Sequence, residues 1–111
     1  MGWGLEIEVM RRGAELKLAG RLDTRRATGA RSMLQEAIDD GSGDLTLHLG
    51  SLEIWDGTGL GVLVGAGRRA RRAGRRLVLV DVRPRELRLL RAARVTHAAT
   101  VHPERPAIAT S

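Results

Sequence analysis

The hydrophobic pattern of the chain switches between two periods, and this switching strongly constrains the fold. Apolar and polar residues alternate, as they do in half-buried strands, at residues 5–9, 16–18 and 45–49. Between residues 27 and 40 the apolar side chains recur instead at helical spacing, which predicts an amphipathic helix. A turn near Gly13 would join the first two strands into a hairpin, and Thr24 is the expected N-cap of the helix.

The second half of the chain continues this sequence of strand and helix signals. Residues 50–55 form a crossing segment, and a second helix is expected at residues 59–73. Residues 77–80 are apolar and rich in valine, which is typical of a central strand buried on both faces. A third helix follows with Pro84 in its first turn, and residues 100–101 add a short edge strand.

In chain order these elements are β-β-α-β-α-β-α, which predicts an α/β fold. We expect a mixed β-sheet of about four to five strands covered by three or four helices. A chain of 111 residues fits one domain. We place this domain at residues 1–102 and predict a flexible C-terminal tail at residues 103–111, which hold two prolines and small residues.

The residues give no support for catalysis, a metal site or a cofactor. Cysteine is absent, which excludes a disulfide, a thiol nucleophile and cysteine-ligated zinc. The three histidines do not stand in a metal-binding pattern, and no nucleophile elbow or Walker motif occurs. We therefore predict that the protein is not an enzyme and uses no cofactor.

The formal net charge of +6 raises the question of nucleic-acid binding. The only aromatic residues are Trp3 and Trp55, so a stacking platform for single strands is missing. Six arginines between residues 68 and 76 fall on one face of the second helix. Exposure to solvent is the favoured interpretation of this face, followed by an acidic protein partner and then by nucleic acid. No run of about 18 apolar residues occurs, so we expect no membrane insertion and a cytoplasmic location.

The most informative stretch is the turn from Asp56 to Gly59, directly before the second helix. Its glycines indicate a close approach of backbone, and a helix N-terminus presents free amides with a partial positive charge. A hydroxyl at this point can cap the helix or accept a phosphoryl group. The alternative is that Asp56 and Thr58 only cap the helix.

Four short motifs in fixed order carry a resemblance to a known family. They are GRLD at residues 20–23, LTLHL at 45–49, LEIWD at 52–56 and DGTGLGVL at 56–63. The last is similar to the hallmark D-S-S/T-G-L-G-V-L of the STAS domain of bacterial anti-sigma-factor antagonists. The resemblance covers roughly residues 5–95.

This resemblance implies a protein-interaction module. Members of the family bind an ATP-dependent anti-sigma kinase when unmodified and thereby release a sigma factor. The kinase phosphorylates a serine directly after the loop aspartate. Here Asp23 and Asp56 match the two acidic positions beside that serine, while Gly59 and Leu60 match the start of the recognition helix.

The chain departs from the family at the phosphoacceptor, because Gly57 stands there and has no hydroxyl. Thr58 matches the next position, which is not the usual acceptor, and is a lesser candidate for phosphorylation. We expect an antagonist that lacks the usual switch and binds an anti-sigma factor with a kinase-like ATPase fold, and other STAS proteins are further candidate partners. The expected binding surface is listed by residue: Asp23, Asp56, Gly57, Thr58, Gly59 and Leu60.

Two alternatives stay open at this point. STAS-like chains also serve as scaffolds or accessory subunits of signalling or transport complexes. Trp55 occupies a position that is usually apolar, so we expect it in the core, with a partner-contacting role as the alternative.

Overall fold

A computed structural model describes residues 4–104 of the chain. In this range five strands alternate with three α-helices and one 3₁₀ turn: β1 (Leu5–Arg11), β2 (Glu15–Leu22), α1 (Ala27–Asp39), β3 (Leu45–Ile54), α2 (Gly57–Arg72), β4 (Leu77–Val82), α3 (Pro84–Ala92), the turn Val95–His97 and β5 (Thr100–Pro103). None of these helices is both long enough and apolar enough to cross a membrane.

The strands form one mixed sheet in the order β1-β2-β3-β4-β5. The β1–β2 hairpin is antiparallel, and each later strand pairs parallel to the one before it. Crossovers between parallel strands are almost always right-handed, so three crossovers that advance in one direction bring their helices to the same face. This face holds the core, to which β2, β3 and β4 contribute alternate residues, most of them leucines.

The predicted fold class is confirmed. The prediction that residues 77–80 are buried on both faces of the sheet is wrong. Leu77 and Leu79 are fully buried beneath the helices, whereas Val78 and Val80 on the opposite face are half-buried. The reason is the one-sided helix layer, which leaves the second face of the sheet without a helical cover. The short edge strand is confirmed as β5, which ends at Pro103.

Several element boundaries also differ from the sequence-based prediction. β3 continues to Ile54 through the predicted crossing segment, because residues 51–54 pair with β2. Thr24 does not cap α1, which begins at Ala27 without a side-chain cap. The amide of Glu104 still donates to the carbonyl of Val82 at 2.9 Å, while the rest of the predicted tail, residues 105–111, lies outside the described residues.

We expected the arginine-rich stretch to form one solvent-exposed face, and this expectation is wrong. α2 ends at Arg72, and Gly74 adopts a left-handed conformation with φ of 73°. This reversal turns Arg75 inward, where it is 5% exposed. Arg68 and Arg72 do remain exposed on the helix. The tract therefore separates into a surface group and one buried side chain with a structural role.

Candidate functional site

Asp56 joins the end of β3 to the start of α2 and is the N-cap of that helix. Its backbone is extended, with φ of −155°, and its Oδ1 accepts a hydrogen bond of 2.8 Å from the amide of Gly59. Its Oδ2 accepts two further bonds from Thr24, one of 2.9 Å from the amide and one of 2.8 Å from the hydroxyl. The carboxylate thus fixes both the helix and the loop after β2.

These bonds lower the pKa of the Asp56 carboxyl below its ordinary value. The amide of Gly59 has the largest effect, followed by the amide and then the hydroxyl of Thr24. Hydrogen bonds to the charged form of an acid favour ionisation. Asp56 therefore carries its negative charge at neutral pH beside the positive end of the α2 dipole.

Asp56 should make the stability of the domain depend on pH. Because its pKa is lower when folded, its contribution is complete above the pKa of an unfolded aspartate, about 3.9. This contribution is lost as the pH falls through the lower folded pKa. We expect Asp56→Asn to have a lower melting temperature than wild type at pH 7, with the two values converging toward pH 2. Melting curves at closely spaced pH values measure this, and a constant difference would contradict it.

Asp23 and Asp56 lie on neighbouring loops at one end of the sheet. The amide of Trp55 donates to the carbonyl of Leu22 at 2.9 Å, which places the two strand ends side by side. Asp23 then accepts hydrogen bonds from its own turn, at 3.2 Å from the amide and 2.9 Å from the guanidinium of Arg26. Its carboxylate is only 14% exposed. Asp23 orders its loop, while Asp56 connects the two loops.

The first turn of α2 holds the other four residues of the expected surface. Gly57 and Thr58 are exposed, and a Cβ atom added to Gly57 would meet no atom within 4 Å. Gly59 is buried, and its added Cβ would stand 2.5 Å from the carbonyl oxygen of Leu22. Leu60 is half-buried against the core. One turn therefore combines a position open to solvent with a position that tolerates only glycine.

Side chains at the N-terminal end of α3, including its N-cap Arg83, support the strand end that carries the site. β4 pairs with β3 only as far as His48, so the later backbone groups of β3 lack a strand partner on this side. Arg83 donates to the carbonyl of Leu52 and Arg85 to that of Ile54, both at 3.0 Å. Glu86, 1% exposed, accepts a bond of 2.8 Å from Arg85.

Trp55 lies on the surface next to this turn, so the expectation that it belongs to the core is wrong. It is 55% exposed, and the guanidinium of Arg21 lies 4.2 Å from the centre of its ring. Leu52 and Ile54 face the core, so strand alternation could have indicated that Trp55 faces out. The exposure of Trp55 fits the alternative of a partner-contacting role. The cation of Arg21 beside it was missed by sequence reasoning.

This arrangement presents several groups that a partner could contact. Asp56 already uses both carboxylate oxygens to hold the backbone. Within residues 4–104 no group of three or more histidine or acidic side chains is placed to hold a metal ion. The surface consists of an exposed tryptophan, an ionised carboxylate and an accessible helix start.

Comparisons with known proteins agree with the fold. The family model described as "Mlab, STAS domain" matches residues 7–102. No curated protein matches the sequence.

Solved structures with this fold include several anti-sigma factor antagonists. The antagonist SpoIIAA in its unphosphorylated form is 19% identical, with a TM-score of 0.65 over 93% of this chain and 90% of that one. SpoIIAA from Bacillus in the phosphorylated form is 18% identical, with a TM-score of 0.67 over 88% of this chain and 90% of that one. An antagonist from Mycobacterium paratuberculosis is 17% identical, with a TM-score of 0.69 over 90% of this chain and 85% of that one.

At these identities the solved structures establish the fold alone, whereas the family model spans nearly all of the described residues. The sheet order, the loop aspartate that caps α2 and this match lead to one conclusion: the chain belongs to the STAS domain family.

Proposed function

We propose that this chain is an anti-sigma-factor-antagonist-like module, without enzymatic activity, that binds an anti-sigma factor with a kinase-like ATPase fold. The observation that carries the proposal is the first turn of α2, where Asp56 is ionised and held while Gly57 and Thr58 are exposed. Trp55 and Arg21 extend this surface beyond the residues expected from sequence. Competition for the anti-sigma factor would then release its sigma factor.

We further propose that binding does not respond to serine phosphorylation. A phosphate adds about −1.5 to −2 charges at neutral pH and would repel a neighbouring carboxylate. Gly57 occupies the position directly after Asp56 and has no oxygen to accept the phosphoryl group. Complex formation would therefore depend on the concentrations of the two proteins. Thr58 is the nearest hydroxyl in the turn, and a stoichiometric phosphate there in protein from the native host would contradict this proposal.

A binding experiment with Gly57→Ser tests both parts of the proposal. Tagged wild-type protein should recover a histidine-kinase-like ATPase from native cytoplasm, and ATP should not change the affinity of the purified pair. Serine fits at position 57, since a Cβ there meets no atom within 4 Å. We expect ATP to weaken partner binding by Gly57→Ser at least about tenfold, because a phosphoserine would abut Asp56.

Gly61→Ser is the matched control, since Gly61 also has open space around its Cβ position and lies one turn further along α2. Its binding should not change with ATP. If wild-type binding itself falls with ATP, the proposal of a switch-free module is wrong. If no such ATPase is recovered, the proposed partner is wrong.

A second candidate is an accessory or scaffold subunit of a signalling or transport complex. Two observations favour it: the matching family model is the one described as "Mlab, STAS domain", and the position of the acceptor serine is occupied by Gly57. A permanent subunit needs no charge switch at this position. Size-exclusion chromatography of native lysate separates the two candidates, because a subunit elutes only in a large stable complex.

A further inference from the structure

A groove between α1 and α2 combines an apolar floor with a basic rim. Its volume is about 200 Å³. The floor is formed by Leu34, Val62 and Ala66, each no more than 6% exposed. Three arginines line the same groove: Arg31, Arg69 and Arg72. Such a cleft can receive an apolar side chain and place acidic groups beside the arginines.

The positive charge of this rim is only partly neutralised. Arg69 forms an ion pair of 2.8 Å with Asp39, yet its Nε is buried and has no hydrogen-bond partner. Among residues 4–104, neither Arg31 nor Arg72 has an ion pair or a side-chain hydrogen bond. The two exposed guanidinium groups of Arg31 and Arg72 are therefore available to an acidic ligand.

Two exposed glycines leave the surface of α2 next to the arginines without side chains, so another backbone can come close to it. Gly61 and Gly65 are exposed on α2, and a Cβ atom added to either would meet no atom within 4 Å. Exposed glycine in a helix interior costs about 0.8–1.0 kcal/mol relative to alanine. Nothing in the packing of the described residues requires glycine at these two positions. Their absence of side chains does allow a second backbone to approach the groove.

We propose that the α1–α2 groove is a docking surface for an amphipathic helix of a partner protein that carries carboxylates along its edges. An aliphatic side chain of the helix would enter between Val62 and Ala66, next to Gly65. The carboxylates would pair with Arg31 and Arg72, which are complementary in charge. This surface is separate from the turn at Asp56, and the inference does not depend on which protein that turn binds.

The apolar floor favours a protein helix over nucleic acid. Phosphates would pair with the arginines but would not fill the apolar cleft that Leu34, Val62 and Ala66 line. No aromatic side chain lines the groove, so bases would have no stacking partner. A helix with leucines on one face and glutamates at its edges satisfies both the floor and the rim.

A stapled helical peptide of about 18 residues, five turns long, is the probe for this surface. It carries leucine and alanine on one face and glutamate along both edges, and a matched peptide carries lysine in place of glutamate. In NMR titrations of the full chain we expect the glutamate peptide to shift the amide signals of Val62, Gly65 and Ala66. The lysine peptide should leave them unchanged. No shift at peptide concentrations up to about 1 mM would overturn the proposal.

Charge-reversed variants test whether the rim itself provides the affinity. Arg31→Glu combined with Arg72→Glu should weaken binding of the glutamate peptide at least about tenfold. The matched control is Arg88→Glu combined with Arg91→Glu, which changes the net charge equally on α3, outside the groove lining. An equal loss in both pairs would mean general charge attraction and would overturn the proposal.

Gly65→Leu tests whether peptide binding can be weakened without a loss of domain stability. A Cβ atom at this exposed position meets no atom within 4 Å, and leucine is a better helix former than glycine, so the domain should be at least as stable as wild type. The peptide should nevertheless bind more weakly, because the side chain fills the approach to the groove. Unchanged peptide binding would contradict this geometry. Duplex DNA of about 20 base pairs that shifts the same amides at a lower concentration than the peptide would assign the surface to nucleic acid instead.

Discussion

Replacement of Arg75 with methionine is expected to lower the free energy of unfolding by about 3–5 kcal/mol. The guanidinium of Arg75 donates to the carbonyls of Ala37 at 3.0 Å, Ile38 at 2.9 Å and Gly43 at 2.9 Å, and also to that of Gly13. None of these partners is a carboxylate. The charge is instead stabilised by several backbone dipoles that converge on it.

The location of these carbonyls explains why the expected loss is large. Ala37 and Ile38 belong to the last turn of α1, where carbonyl groups lack partners within the helix. Gly13 lies in the β1–β2 turn, and Gly43 precedes β3. Arg75 therefore joins the β1–β2 turn to the connection between α1 and β3, and both are far from Arg75 in sequence. Methionine fills much of the same volume but leaves buried acceptors without donors, at a cost of about 1–3 kcal/mol each.

Urea unfolding of Arg75→Met and Arg76→Met measures this difference directly. Arg76 is the adjacent residue and pairs with Asp44 at 2.6 Å, but both side chains are about half exposed. Surface ion pairs contribute about 0–1 kcal/mol, so Arg76→Met should be close to wild type. Equal destabilisation of the two variants would contradict the structural role of Arg75. Their m-values should agree with that of wild type if the folded state stays compact.

Arg75 also shows what the sequence could not reveal about this fold. The alternation of strands, the helical stripe of α1 and the motif at residues 56–63 were visible locally, and they predicted the topology and the family. Residues 68–76 hold six arginines, and the stretch is arginine-rich both before and after the end of α2. Their different positions depend on where the helix ends and on the reversal at Gly74, which composition does not encode.

The candidate site was predictable to the same limited extent. The residues of the α2 turn could be taken from the motif, because their roles depend on neighbours within the same turn. The contact between Asp56 and Thr24 spans 32 positions, and no local pattern predicts it. Thr24 has the residue type of an N-cap, so its hydroxyl was assigned to α1. In the structure the hydroxyl instead donates to Asp56, which caps α2. The outward orientation of Trp55, in contrast, was available from strand alternation.

Gly59→Ala should destabilise the domain by about 1–3 kcal/mol, whereas Gly61→Ala should stabilise it by about 0.5–1 kcal/mol. The two glycines lie on the same helix, two positions apart. At Gly59 the new Cβ would stand 2.5 Å from the carbonyl oxygen of Leu22, which is backbone and cannot rotate away. At Gly61 the new Cβ meets no atom within 4 Å, so only the higher helix propensity of alanine counts.

Thermal unfolding of both variants decides the sign of each effect, and the same sign for both would contradict the close approach at Gly59. The substitution should also reach the candidate site, since relief of the clash must move α2 away from the end of β2. That movement lengthens the bonds from Thr24 to Asp56, which join the same two segments. Gly59→Ala should therefore lose partner binding beyond what its stability explains, while Gly61→Ala keeps the geometry of the turn. Only glycine at position 59 lets α2 come close enough to the end of β2 for Asp56 to connect both loops.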